Sequence, residues 1–195
     1  MSLETFELVL KKWGKLVKKD ENNYWICIGG GEPTLHPKFW EIIDISLKYG
    51  FPCVPINGKN KKDALKLIEL SDKNLLRVVL SLDEWHEPID VEVVEAFQKG
   101  LVKYQRNWGI EYEYEDKKVG SKGIVTIEKA VNAGRCKEGV EGCCCQMSLA
   151  KPDGSIFGCG CTDAPFIGTV KEGIFSNYKK FPLTGGCSKV LLNCL

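Results

Sequence analysis

The chain has 195 residues, 44% of them hydrophobic and 27% charged, enough to bury the core of one globular domain with a small appendage and too apolar for intrinsic disorder, collagen or a coiled coil. Its 27 Lys and Arg against 26 Asp and Glu leave a net charge of +1, so no global field draws it to nucleic acid or to an anionic membrane. No apolar run approaches the roughly 18 residues of a membrane span, and Met1-Ser2-Leu3-Glu4 lacks the basic-then-apolar pattern of a signal peptide, so a cytoplasmic location with reduced thiols is expected.

Residues 3–19 read as an amphipathic helix, with Phe6, Val9, Leu10, Trp13, Leu16 and Val17 on one stripe and lysines opposite. Tyr24 to Ile28 is a short apolar run ending in three glycines, the pattern of a buried strand. Pro37 can open the next helix, whose stripe is Phe39, Ile42, Ile43, Ser46 and Leu47 and which stops at Gly50. Phe51 to Ile56 is a second strand ended by Asn57-Gly58, and residues 61–72 form a helix. Leu75 to Leu82 is a β-branched strand, and residues 89–106 form a helix on Val94, Phe97, Leu101 and Tyr104. Ile110 to Tyr114 alternates apolar and acidic residues, a strand with Tyr112 and Tyr114 inward, and Gly123 to Ile127 is a candidate for one more.

Strands alternating with helices are βαβ units, which imply a parallel sheet with right-handed crossovers. A closed eight-stranded barrel takes about 250 residues. Four or five strands make an α/β fold with an incomplete parallel barrel, covering residues 1–133. From Gly134 the periodicity fades and Gly and Cys take over, marking a cysteine-rich second unit over residues 134–195. Ligands on parallel sheets sit beyond the carboxyl ends of the strands, which directs attention to Gly29–Pro33, Asn57-Gly58, Ser81–His86 and the residues from Glu115.

Gly29-Gly30-Gly31-Glu32-Pro33-Thr34 directly follows a strand. Glycines let a ligand approach the backbone closely, and Glu32 places a carboxylate at the strand mouth, suited to a ligand ammonium. A phosphate loop is a poor match, because no Gly-Lys-Ser/Thr follows and an acid repels phosphate. A plain βα turn with a solvated Glu accounts equally well for the triplet alone. The longer string is more specific. Gly30-Gly31-Glu32-Pro33-Thr34-Leu35-His36-Pro37 precedes a helix, then Ile56-Asn57-Gly58 and Ser81-Leu82-Asp83 follow the next two strands. This order closely resembles the radical S-adenosylmethionine (radical SAM) superfamily. The resemblance implies that Gly30, Gly31 and Glu32 hold the methionyl amino group of SAM and that Ser81 lies near its ribose or carboxylate, with Asn57 and Asp83 shaping the site. It also implies a parent activity, reductive SAM cleavage and radical modification of a substrate. No catalytic side chain is assigned.

The chain departs from the family in one respect. The three cysteines spaced Cys-x3-Cys-x2-Cys that hold the family's [4Fe–4S] cluster precede Gly-Gly-Glu-Pro, and here Cys27 is the only cysteine before Gly30. The 3–19 helix looks like the one that follows that motif. The expectation is a fragment, or a relative lacking the cluster and the first family strand, and a chain that by itself does not cleave SAM.

Ten cysteines are present, and eight of them, Cys136, Cys143, Cys144, Cys145, Cys159, Cys161, Cys187 and Cys194, crowd the last 60 residues. In a reducing compartment such a cluster reads as metal or iron–sulfur ligands. A Pro152-Asp153-Gly154 turn between two strand-like pieces brings flanking thiolates together. Together with the Ile167–Val170 stretch and Gly134-Arg135, it resembles the opening of SPASM and twitch auxiliary-cluster domains. That resemblance implies a [4Fe–4S] cluster with ligands among Cys143, Cys145, Cys159 and Cys161, and later ligands at Cys187 and Cys194. Zinc is the rival, since four thiolates serve it equally well, although paired Cys-x2-Cys knuckles are absent. Enzymes with such tails often modify peptides or proteins, so a peptide or protein substrate is expected. The alternative readings are a non-catalytic Zn or Fe–S module and a peptide-binding remnant.

Several residues have plainer readings. Cys27 and Cys53 lie in apolar strands and read as small buried core residues. His36 reads as a capping or packing residue and His86 as a strand-mouth residue without an assigned role. The lysines of the first helix, with Lys59, Lys61 and Lys62, read as solvated faces. Finally, an unpaired Tyr24–Ile28 strand would be a sheet edge available for homodimer pairing or for cover by the chain's own helix or tail.

Overall fold

The protein is described here by a computed structural model covering residues 1–17, 25–82, 87–101, 103–107, 110–114, 122–127, 149–157 and 166–174. The chain divides into two compact units, one of Val17–Ala130 and one joining Met1–Leu16 to Val131–Leu195.

In the first unit the elements follow in the order β1 (Trp25–Cys27), a 3-10 turn (Pro33–Leu35), α2 (Phe39–Tyr49), β2 (Phe51–Ile56), α3 (Lys61–Asp72), β3 (Arg77–Ser81), α4 (Val91–Gln98), β4 (Lys103–Asn107), β5 (Ile110–Tyr114) and β6 (Lys122–Ile127); α1 is the N-terminal helix Leu3–Val17, which belongs to the other unit. The six-stranded sheet has the order β1-β2-β3-β6-β5-β4. Its first four strands are parallel, and β5 and β4 run antiparallel at the far side. The fold is therefore mixed α/β with a four-stranded parallel sheet alternating with helices.

Period-two alternation decides which face of the sheet is covered. Pro52, Val54 and Ile56 are buried while Phe51, Cys53 and Pro55 are half-buried, and β3 repeats the pattern with Val78 and Leu80 buried. The buried set meets the apolar stripes of the helices: Phe39, Ile42, Ile43 and Ser46 of α2, Ala64, Leu67, Ile68 and Ser71 of α3, Val93 and Phe97 of α4. Neighbouring helices touch one another, since Trp40 Nε1 of α2 donates to Asp63 Oδ1 of α3 at 2.9 Å and Lys61 of α3 pairs with Glu92 of α4 at 2.6 Å. A single helical layer thus packs on one sheet face. Ser46 is tolerated in that core because its hydroxyl donates to the Ile42 carbonyl at 2.7 Å.

Two expectations change. The helix expected over 89–106 stops at Gln98, because Gly100 takes a left-handed φ of 83° and the chain turns, and 103–107 becomes a strand. The 110–114 strand forms, but antiparallel to its neighbours; the strand beside β3 is β6. Only two residues, Trp108 and Gly109, separate β4 from β5, which suits a hairpin and is far too short for a parallel crossover.

The second unit joins α1 to an antiparallel sheet of order β10-β9-β8-β7, built from β7 (Leu149–Ala150), β8 (Ser155–Phe157), β9 (Phe166–Thr169) and β10 (Gly173–Ile174). Val9 of α1 forms a small core with Ile156, Ile167 and Val170, flanked by Leu8 and Ala150. Against the expectation that this helix belongs with the barrel, it packs on the tail strands, because their apolar residues accept Val9 and because Lys12 Nζ donates to the Lys171 carbonyl at 2.7 Å. The Pro152-Asp153-Gly154 turn forms as expected. Lys151 N donates to the Ser155 carbonyl, and Asp153 Oδ1 accepts from both Ser155 N and Oγ. Gly154 has a φ of 84°, and a Cβ there would stand 2.8 Å from Val170 Cγ1.

Candidate functional site

Because β1, β2 and β3 are parallel, the segments leaving them emerge at one end of the sheet. The register sets Cys27 beside Cys53 and Ile56 beside Leu80, so Asn57 and Ser81 leave their strands at the same level. Gly29–Glu32 leaves β1 at the same end, where Ile28 N still donates to the Cys53 carbonyl at 2.9 Å.

Glu32 ties these exits together. Its Oε1 accepts from Thr34 N at 3.1 Å and from Thr34 Oγ1 at 2.5 Å, and its Oε2 accepts from Asn57 N at 2.7 Å. The first pair caps the 3-10 turn that Pro33 begins. The third bond joins the β1 exit to the β2 exit. A carboxylate offers about four acceptor positions, so Oε2 keeps room for another donor. Gly30 and Gly31 have φ of 100° and 75°, and a Cβ on either would meet nothing within 4 Å. The backbone here is therefore open to an approaching ligand, and this donor and acceptor set fits an alkylammonium group. Ser81 is half-buried at the end of β3.

The neighbouring exit is held tightly. Gly58 is buried with a φ of 75°, and a Cβ on it would stand 2.6 Å from Leu80 Cδ1 and 3.1 Å from Ile89 Cγ2. Asn57 Oδ1 accepts from Lys59 N at 3.0 Å. Lys59 pairs with Glu87 and holds that carboxyl below its usual range; the hydrogen bonds of Lys61 to Glu92 and Asp90 raise the Lys61 ammonium above its own. These are exposed pairs, and salt screens them. Two of the lysines expected on solvated faces, Lys59 and Lys61, thus stitch the β2 exit to the start of α4. His36 behaves as a capping residue, its Nδ1 accepting from Lys38 N at 3.1 Å. Beside it a shallow groove of about 470 Å³ runs past Thr34, Leu35, Trp40, Asn60 and Lys66, with Lys66 Nζ 3.7 Å from the Trp40 ring centroid.

A second group of polar side chains crosses the sheet face away from the helices. Cys27, Cys53 and Arg77 are register partners on β1, β2 and β3. Cys27 is exposed and Cys53 half-buried, which corrects their expected place in the core. The alternation of Phe51–Ile56 already carried the signal: if Val54 and Ile56 face the helices, Cys53 cannot. A hydrogen bond from the neighbouring Cys53 thiol lowers Cys27 to about 7, against a smaller opposing effect of burial. The same bond, with burial and the neighbouring thiolate, pushes Cys53 well above the usual thiol range, while the Arg77 charge pulls the other way.

Asp83, His86 and the tail cysteines Cys143, Cys145, Cys159, Cys161, Cys187 and Cys194 lie outside the described residues. Among the described residues no group of three or more His, Cys, Asp or Glu is placed to hold a metal, and no helix is long and apolar enough to cross a membrane. No family model, curated protein or solved structure matches the chain.

Proposed function

We propose that the protein is of radical SAM type, with Gly30, Gly31, Glu32 and Ser81 as its SAM-binding residues, and that its parent activity is radical modification of a peptide or protein. The observation that carries the reading is the carboxylate of Glu32, which joins two adjacent parallel-strand exits and keeps acceptor capacity beside an open, glycine-only backbone. That arrangement suits the ammonium of an amino-acid moiety, and the Gly-Gly-Glu-Pro-Thr-Leu-His-Pro string narrows the amino acid to SAM. SAM, when reduced by an iron–sulfur cluster, supplies a 5′-deoxyadenosyl radical; this chain's residues would bind and orient it. The auxiliary [4Fe–4S] cluster, or zinc in its place, belongs to the cysteine-rich tail in this reading.

Calorimetry with SAM tests the site. The wild-type chain is expected to bind weakly. Glu32→Ala is expected to weaken binding by roughly tenfold or more, as the loss of a charged hydrogen bond implies. Thr34→Val removes one donor to the carboxylate and keeps its charge, so it is expected to retain most of the affinity. No SAM binding by the wild type, or binding indifferent to Glu32→Ala, would overturn the proposal. Because no Cys-x3-Cys-x2-Cys occurs in these 195 residues, the chain after cluster reconstitution and dithionite reduction is expected to yield no 5′-deoxyadenosine. Multiple turnovers would show that the tail cysteines have been misread.

A further inference from the structure

Cys27 and Cys53 face each other across two hydrogen-bonded parallel strands and point to the same side of the sheet. Adjacent strands lie about 4.8 Å apart, inside the roughly 4.4–6.8 Å window of Cα separations that a disulfide spans. The register therefore brings these two side chains within the separation that a disulfide spans. Access is asymmetric: Cys27 is exposed at the end of β1, and Cys53 is half-buried beside it. The hydrogen bond from Cys53 favours the thiolate on Cys27, the sulfur that solvent reaches. The charged group facing the pair from β3 is Arg77, beside Cys53.

We propose that Cys27 and Cys53 form a hydroperoxide-reactive dithiol site, in which Cys27 attacks the oxidant and Cys53 resolves the product as a cross-strand disulfide just before the Gly29–Glu32 loop. The Cys27 thiolate attacks the terminal oxygen of a hydroperoxide. The S–O bond forms, the O–O bond breaks, and the alkoxide or hydroxide leaves with the electron pair and takes up a proton. Cys27 is then a sulfenic acid. The Cys53 sulfur attacks the sulfenic sulfur, the S–S bond forms, and water leaves with the proton of the Cys53 thiol. The sum consumes two thiols and one hydroperoxide and releases one disulfide, one water and one alcohol (a second water if the oxidant is hydrogen peroxide). Thiolate character and access select such cysteines for oxidation.

Peptide mapping tests it in the full chain. Trypsin places Cys27 alone in residues 20–38 and Cys53 alone in residues 49–59, apart from every tail cysteine. The reduced chain, treated with one equivalent of hydrogen peroxide, alkylated and digested, is expected to yield these two peptides joined. In Cys53→Ser, checked for folding by circular dichroism, dimedone is expected to trap the sulfenic acid on residues 20–38. Without oxidant, maleimide is expected to label Cys27 with a rate profile half-maximal near pH 7. At pH 7 that labelling should run about threefold faster than for an ordinary thiol, the gain in thiolate fraction being partly offset by lower nucleophilicity. Two results would overturn the site: peroxide linking Cys27 to a tail cysteine, or leaving both peptides fully alkylated while the tail oxidises. The wild-type map decides the matter even if the variant does not fold.

Discussion

Glu32 carries two kinds of work that separate experiments resolve. Its carboxylate braces the strand mouth through Thr34 and Asn57, and it offers a charge to a ligand. Glu32→Gln keeps the size and one carbonyl acceptor but loses the charge and one set of lone pairs, so the Asn57 amide or the Thr34 pair loses its partner. A cost of about 1–2 kcal/mol in urea unfolding is expected, since bonds to charged groups are worth more than neutral ones and the site is half-buried. An unchanged midpoint would show that the brace contributes nothing in solution. Thr34 and the Asn57 amide as donors were not legible in the sequence. They sit 2 and 25 residues from Glu32, and the second meets it only because two neighbouring parallel strands point their exits to the same end of the sheet.

At the scale of elements, the helix and strand boundaries between Phe39 and Ser81 follow from local rules. The stripe from Phe39 to Ser46 is helical, Gly50 ends it, and Phe51–Ile56 alternates. The Asn60 side chain caps α3 by accepting from Asp63 N. Gly58 shows how an exit between such elements is held. Gly58→Ala combines a left-handed backbone with a clash against Leu80 and Ile89, and a loss of about 2–3 kcal/mol is expected. Gly30→Ala has open space and bears only the backbone strain, about 1 kcal/mol. Equal losses in the two urea titrations would mean that Leu80 and Ile89 give way more easily than their burial suggests.

For the whole molecule, the two units predict separable responses. Val9→Asp places a charge in the small core formed with Ile156, Ile167 and Val170. Hydrogen exchange is expected to quicken at Ile156 and Ile167 while Val54, Val78 and Leu80 stay protected, and a loss at all five together would refute the division. The other prediction concerns β1, which ends the six-stranded sheet. The Ile28 amide bonds to β2, and in a parallel ladder the Cys27 amide then faces away from it. An apolar edge of this kind is a pairing template, and slow exchange at Cys27, rising with protein concentration if a second copy provides the cover, is the expected result. Rapid exchange at Cys27 in concentrated solution would show an edge left open.

Local periodicity was enough to determine an α/β chain of short parallel strands, the apolar face of α2, the turn at Asp153-Gly154 and the glycine–glutamate loop after β1, because each depends on residues within a turn or two of one another. Tertiary structure decided the remainder, which depends on residues brought together across long stretches of chain. It put β6 rather than β5 beside β3 once the β4–β5 hairpin had folded out to the edge, and it packed Val9 against strands that lie some 150 residues later. It also turned Cys27 and Cys53 out of the core. Alternation sets Cys53 on the face opposite Val54 and Ile56, and the helices that cover one side of the sheet settle which of those two faces lies in the core.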